Sequence, residues 1–194
     1  MFGRILRAVL LLLLVFSVNV TQAQSIDDPL VGGPGAFEPP PISGSGAFEP
    51  PPNDSVFAED LPNYLVVNPN ISRSGRPTRT GMAMLKDLHI KTIIDIENDP
   101  RAMENEKAEA ARLGIRFIAS PMDWDRRPND RQVGQLLEAL KDPSLFPVLI
   151  HCKHGRDRTG LIIGLYRVFV DGWKPRKAYE EMLATGFRSH IKAL

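Results

Sequence analysis

The sequence predicts an α/β domain, a central and mostly parallel sheet with helices on both faces, and three features predict it. Short apolar runs such as Pro147-Val148-Leu149-Ile150 have the length of buried strands. They alternate along the chain with stretches of helical length. Finally, Leu161 to Val170 is apolar nearly all round and stops at Asp171-Gly172, the pattern of a buried helix.

Taken in order, short strands are expected near Leu65 to Val67 and Ser72 to Gly75, followed by a helix around Met82 to Leu88. A buried strand at Lys91 to Ile96 leads to a charged helix from Met103 to Leu113 and a strand from Ile115 to Ala119. A helix from Asp130 to Leu140 precedes the strand that ends at His151. Helices from Thr159 to Val170 and from Pro175 to Thr185 complete the domain, which spans residues 55–194. A domain of that size buries about 68% of its unfolded surface, enough for one core.

Of the 194 residues, 43% are hydrophobic and 24% charged, which suits one globular domain with appendages. The formal net charge is +1. Residues 1–23 read as a secretory leader: a basic start with Arg4 and Arg7, an apolar stretch of eleven from Ala8 to Val18, and a small-residue cleavage site at Thr21-Gln22-Ala23. The stretch is too short for the ~20 residues that span a bilayer, so no stable membrane anchor is expected. Removing the leader leaves 22 basic against 23 acidic residues, which argues against nucleic acid as the main partner. Export to a periplasm or out of the cell is the expectation. Such a compartment favours disulfides, yet there is only one cysteine, so Cys152 cannot be stapled within the chain.

Residues 24–54 form a Pro/Gly-rich linker in which Gly35-Ala36-Phe37-Glu38-Pro39-Pro40-Pro41 recurs eleven residues later as Gly46-Ala47-Phe48-Glu49-Pro50-Pro51-Pro52. Triple prolines favour polyproline II and enter neither helix nor central strand, so a disordered spacer is expected. The alternative is that Phe37 and Phe48 dock into a groove on this domain or on a protein partner.

The chemistry gathers at His151-Cys152-Lys153-His154-Gly155-Arg156-Asp157-Arg158-Thr159-Gly160, the hinge between the last strand and the apolar helix. Gly155 and Gly160 are expected to give the turn its backbone freedom. Successive N–H groups in such a turn, with the positive end of the next helix, form a concave site for a tetrahedral dianion. In that field a thiol ionises well below its usual ~8.5, which makes Cys152 a candidate nucleophile toward phosphorus. Arg158 can fork two donors onto phosphoryl oxygens, and the Thr159 hydroxyl lies near enough to assist the sulfur as a leaving group. A structural cysteine beside a surface arginine is the competing reading.

The segment resembles the signature of the cysteine-based protein tyrosine phosphatase superfamily, a His-Cys pair, five residues, an arginine, then Ser or Thr. The stretches Ser72 to Thr78, Leu88 to Ile96, Gly114 to Phe117 and Ala178 to Met182 are similar to successive landmarks of small atypical dual-specificity phosphatases. The resemblance covers roughly residues 60 to 194 and implies a phosphatase-like α/β fold, a phosphocysteine intermediate and no metal or other cofactor. It implies that His151 orients the loop. It also implies a general acid on the segment Ser120 to Pro128, where Asp125 and Asp123 both qualify. Asp125 is preferred, because its spacing to Pro128 is similar to the acid loop of tensin-related phosphoinositide phosphatases. Either aspartate can instead cap the following helix.

Phosphate binding is expected from Lys153, His154, Gly155, Arg156, Asp157 and Arg158. The cations Lys153 and Arg156 sit where tensin-related lipid phosphatases and atypical inositol phosphate enzymes are basic. That implies a phosphorylated small molecule, an inositol phosphate ahead of a phosphoprotein. In the competing reading Arg156 pairs with Asp157 or another carboxylate and Lys153 faces solvent. A metal site on His151, Cys152 and His154 is disfavoured, since only His89 and His190 remain and neither has a paired ligand spacing.

Overall fold

The computed structural model describes residues 55–188, so the leader and the proline-rich repeats lie outside the described residues. In chain order the elements are α1 (Ser55–Asp60), β1 (Leu65–Asn68), β2 (Ile71–Gly75), α2 (Arg79–Asp87), β3 (Thr92–Asp95), α3 (Pro100–Leu113) and β4 (Arg116–Ala119). Then follow α4 (Asp130–Ala139), a 3-10 turn (Pro143–Leu145), β5 (Val148–Cys152), α5 (Asp157–Phe169) and α6 (Pro175–Ala184). The five strands lie in the order β1-β2-β5-β3-β4. All neighbours are parallel except the edge pair β1 and β2. The mixed α/β fold expected from the sequence is therefore the one observed.

Strand side chains alternate between faces, and the central strands divide their apolar residues accordingly. Ile93 and Leu149 pack with Leu61, Met82, Leu85 and Ala110 on the α2/α3 side. Ile94 and Ile150 pack with Val133, Leu137, Ile162, Leu165 and Met182 on the α4/α5/α6 side. Helix α5 is buried from Asp157 to Arg167, as its all-round apolar sequence requires.

Three details depart from expectation. Helix α2 begins at Arg79, because Thr78 caps it by accepting from Gly81 N, and α3 begins at Pro100, because Asp99 accepts from Ala102 N. The apolar pattern that predicted both helices starts about a turn inside them. Helix α5 begins at Asp157, which puts Gly160 in its first turn, where the turn needs no special freedom. Gly155 alone supplies it, at φ +68°.

Candidate active site

Cys152 is the last residue of β5, the central strand, flanked directly by β2, while β3 pairs with β5 up to the preceding His151. It lies opposite Gly75 in the register with β2, and only 2% of it is exposed. The loop from Lys153 to Arg156 carries the chain from there into α5.

Three successive carbonyls of that loop are taken by groups from the β1/β2 side. Arg76 N donates to Lys153 O at 3.2 Å, Asn63 Nδ2 to His154 O at 2.7 Å, and the buried Arg73 Nη2 to Gly155 O at 2.5 Å. In a planar trans peptide the N–H points opposite to the C=O. Pinning these carbonyls outward therefore turns the N–H groups of His154, Gly155 and Arg156 inward, the arrangement of an anion nest. Gly155 is required by contact as well as by φ, for a Cβ there would lie 2.4 Å from Gly75 N and 2.5 Å from Ser74 C.

The sulfur sits in this field. Burial pushes the Cys152 thiol up, but the hydroxyl and N–H of Thr159, the Arg158 charge and the His154 N–H outweigh it and hold the thiol below its ordinary value. The Thr159 hydroxyl is fully buried beside the sulfur, where it favours the thiolate. Arg158 is almost buried, and its Nη1 donates to Met122 O at 3.1 Å and Ile96 O at 3.5 Å. Those carbonyls lie past the ends of β4 and β3, so one guanidinium joins the loop, the central sheet and the segment carrying Asp123 and Asp125.

That segment is anchored at its base and open at its tip. Gln132 Nε2 donates to Ser120 O and Pro121 O, and Met122 N to Ile96 O. Asp123 is exposed and accepts from Asn98 Nδ2 at 2.5 Å. Asp125 is also exposed and forms no hydrogen bond or ion pair among the described residues. Neither aspartate caps α4, a position held by Asn129.

His151 faces away from the loop into a fully buried cluster. Its Nε2 lies 2.8 Å from Glu106 Oε1 and its Nδ1 3.8 Å from Asp95 Oδ1. The Glu106 approach is an ion pair off the line of a straight hydrogen bond. Burial alone would push the imidazolium down, but Glu106, Asp95 and Cys152 outweigh it and raise His151 to about 9. Burial raises Asp95 to about 6 against the opposing pull of His151. Asp95, Glu106 and His151 do offer three ligand atoms within 4.8 Å. The ring shows a different nitrogen to each acid, however, so the set brackets an imidazolium and does not converge on one ion.

At the rim, Lys153, His154 and Arg156 are exposed, and neither Lys153 nor Arg156 is in an ion pair among the described residues. The pairing of Arg156 with Asp157 does not occur. Asp157 is instead taken by Arg188, whose Nη2 donates to Oδ2 at 2.6 Å. The aspartate carboxylate is thus spent, and what Asp157 retains for a phosphate is its N–H in the first turn of α5. Arg76, Asp95 and Glu97 serve as structural pairs: Arg76 Nε donates to Glu97 Oε2 at 2.8 Å, and Asp95 accepts from Glu97 N. Glu106, Asn63 and Arg188 are contributions that sequence reading missed. The one local hint for Glu106 is the buried Ala110 a turn later on the same face of α3.

The tyrosine phosphatase family model matches residues 61–189, a span that contains the whole loop. The chain belongs to that family. The dual specificity protein phosphatase TpbA of Pseudomonas aeruginosa is 34% identical over 126 residues, covering 64% of this chain and 55% of that protein. Its crystal structure superposes at a TM-score of 0.57 with 33% identity, covering 66% of this chain and 76% of that one. The inositol diphosphatase DSP5 of Arabidopsis thaliana is 32% identical over 135 residues, covering 66% of this chain and 64% of that protein. The catalytic core of the PP-IP phosphatase SIW14 from S. cerevisiae, solved with citrate, gives a TM-score of 0.60 at 26% identity, covering 66% and 80%. The chain spans about half the length of the first of these relatives. The likeness to atypical dual-specificity phosphatases and to inositol phosphatases, drawn from the loop and its flanking landmarks, is borne out.

Proposed function

We propose that the protein is an exported cysteine phosphatase that hydrolyses phosphomonoesters through a phosphocysteine, with inositol polyphosphates or similar multiply phosphorylated small molecules as substrates. One observation carries the reading: Cys152 lies at the end of the central strand, in a nest of N–H groups, with its thiol held below its ordinary value. The thiolate forms the S–P bond as the P–O bond of the ester breaks, and Asp125 gives its proton to the departing alcohol oxygen. Water then attacks phosphorus, Asp125 takes its proton, and the S–P bond breaks with the Thr159 hydroxyl supporting the sulfur. Arg158 and the loop N–H groups neutralise the phosphoryl oxygens throughout. The free carboxylate of Asp125 supports it over Asp123, which Asn98 already engages.

Two observations favour a multiply charged substrate. Lys153 and Arg156 stand unpaired at the mouth, and relatives include an inositol diphosphatase and a PP-IP phosphatase. A second reading, a phosphotyrosine or dual-specificity protein phosphatase, is favoured by TpbA, one crystal form of which is a Cys-to-Ser variant in complex with pTyr. Hydrolysis of p-nitrophenyl phosphate by the wild type and not by Cys152→Ser is expected. Equal turnover by both would end the proposal. A phosphate-release screen across inositol phosphates, phosphopeptides and nucleotides separates the two substrate readings, and phosphopeptides ahead by orders of magnitude would reverse the preference. Export rests on the leader at residues 1–23, and recovery of uncleaved chain from the cytoplasm would count against it.

A further inference from the structure

The turn after α6 brings a cation to the mouth of the loop that the signature does not contain. Gly186 packs on the stem of Arg156, where a Cβ would lie 3.3 Å from Arg156 Cδ. Phe187 lies over Gly160 and meets Tyr179 edge to face, with ring centroids 6.2 Å apart. These contacts seat the next residue, Arg188, on the first turn of α5. Its backbone N donates to Asp157 Oδ1 at 3.0 Å, its Nε to Oδ2 at 3.2 Å and its Nη2 to Oδ2 at 2.6 Å. Asp157 is nearly buried, so it makes a firm base, while the Arg188 side chain remains 52% exposed. Nη1 bonds to nothing among the described residues.

The guanidinium thus has one edge clamped and one edge free. The same neighbourhood holds Lys153 and Arg156, and all three cations act on His154 in the loop, adding to its burial in holding the imidazole down. One carboxylate, Asp157, opposes three cations there. A single phosphoryl group is already served by Arg158 and the loop N–H groups. Cations left over at the rim suit a ligand whose remaining charge lies outside the nest.

We propose that Arg188, clamped by Asp157, is a specificity residue that grips a second phosphoryl group of the substrate through its free Nη1 edge. The proposal rests on the polyphosphate reading above and adds a recognition residue to it. A fork held in place before the ligand arrives loses less side-chain entropy on binding than a free surface arginine.

The test uses the full chain and two substrates, p-nitrophenyl phosphate with one phosphate and myo-inositol hexakisphosphate with six. For Arg188→Gln the ratio of kcat/KM for the hexakisphosphate to that for p-nitrophenyl phosphate is expected to fall about tenfold, mostly through KM, as suits one lost charge-assisted contact. Arg188→Lys keeps the charge and is expected to recover part of the ratio. It also carries the test if the glutamine variant fails to fold, which thermal unfolding reports. An unchanged ratio in Arg188→Gln, or equal losses on both substrates, overturns the proposal while leaving the phosphatase reading intact. A lysine variant no better than the glutamine variant also overturns it. Wild type that cleaves p-nitrophenyl phosphate but neither cleaves nor is inhibited by the hexakisphosphate removes the polyphosphate reading and this proposal together.

Discussion

The buried ion cluster behind the nucleophile makes the domain's stability depend on pH in a way that one substitution isolates. His151 is fully buried, and Glu106 and Asp95 hold it up at about 9 from an ordinary 6.5. A histidine raised in this way contributes stability that is fully present below pH 6.5 and lost as pH rises through 9. The two values correspond to ~3 kcal/mol, since each pKa unit is about 1.4 kcal/mol. Asp95, raised to about 6, is largely ionised above pH 7 and adds little there. Cys152, held low, acts in the opposite sense as pH rises, but equally in any variant that leaves the loop alone. Glu106→Gln removes the partner at 2.8 Å and leaves Asp95 as the remaining acid beside the ring. Urea unfolding of wild type and Glu106→Gln at pH 6.5 and pH 9.5 reads the effect directly. The His151 share of the wild-type loss across that interval is ~3 kcal/mol, and the variant is expected to lose less than the wild type by more than half of that share, the Cys152 offset being common to both. Parallel losses in the two proteins would refute the idea that Glu106 keeps His151 charged.

Gly155→Ala puts a methyl 2.4 Å from Gly75 N at φ +68°, so the loop must move, and kcat/KM is expected to fall about 100-fold. Retention of wild-type activity would show that the loop tolerates a side chain there. Asn63→Gly keeps a residue that accepts positive φ (φ 54° at Asn63) but removes the tie to His154 O. Binding of orthovanadate, read as competitive inhibition, is expected to weaken about five-fold, and an unaltered inhibition constant would mean that the nest holds its shape without this bond. Asp125→Asn is expected to lower kcat by about 100-fold or more, and Asp123→Asn by much less. The reverse order, measured with p-nitrophenyl phosphate, would move the general acid to Asp123.

What the sequence made legible was what short-range pattern encodes. Val148 to Ile150 and Ile93-Ile94 are apolar on both faces because helices cover both faces of the sheet, and that continuity marks central strands. The hinge was readable for the same reason, since strand, glycine turn and helix follow one another within a dozen residues. Partners brought together only by the fold were not readable. Glu106 looks like any acid of a charged helix until β5 places His151 behind it. Asp157 looks like a loop acid until Arg188, 31 residues later, arrives beside it. The helix starts fell between these cases: Thr78 and the Asp99-Pro100 pair carry cap chemistry, but the apolar periodicity that located the helices begins a turn later.

The same long-range partners divide the charges of this site into two sets. Arg73, Arg76 and His151 are consumed from behind, by Gly155 O, Glu97 and Glu106, and they hold the geometry of the loop. Arg158 sits between the sets, parked on two carbonyls that a phosphoryl oxygen can replace as partners for its guanidinium. Lys153 and Arg156 are free at the rim, and Arg188 is free along one edge. A site for a single phosphate requires the inner set and Arg158 alone, because the N–H nest and one guanidinium satisfy a dianion. The outer set lowers no barrier at that phosphorus, but it does attract whatever negative charge the rest of the substrate carries. The inner charges therefore bear on whether the protein is a phosphatase, and the outer ones on which phosphate ester it prefers.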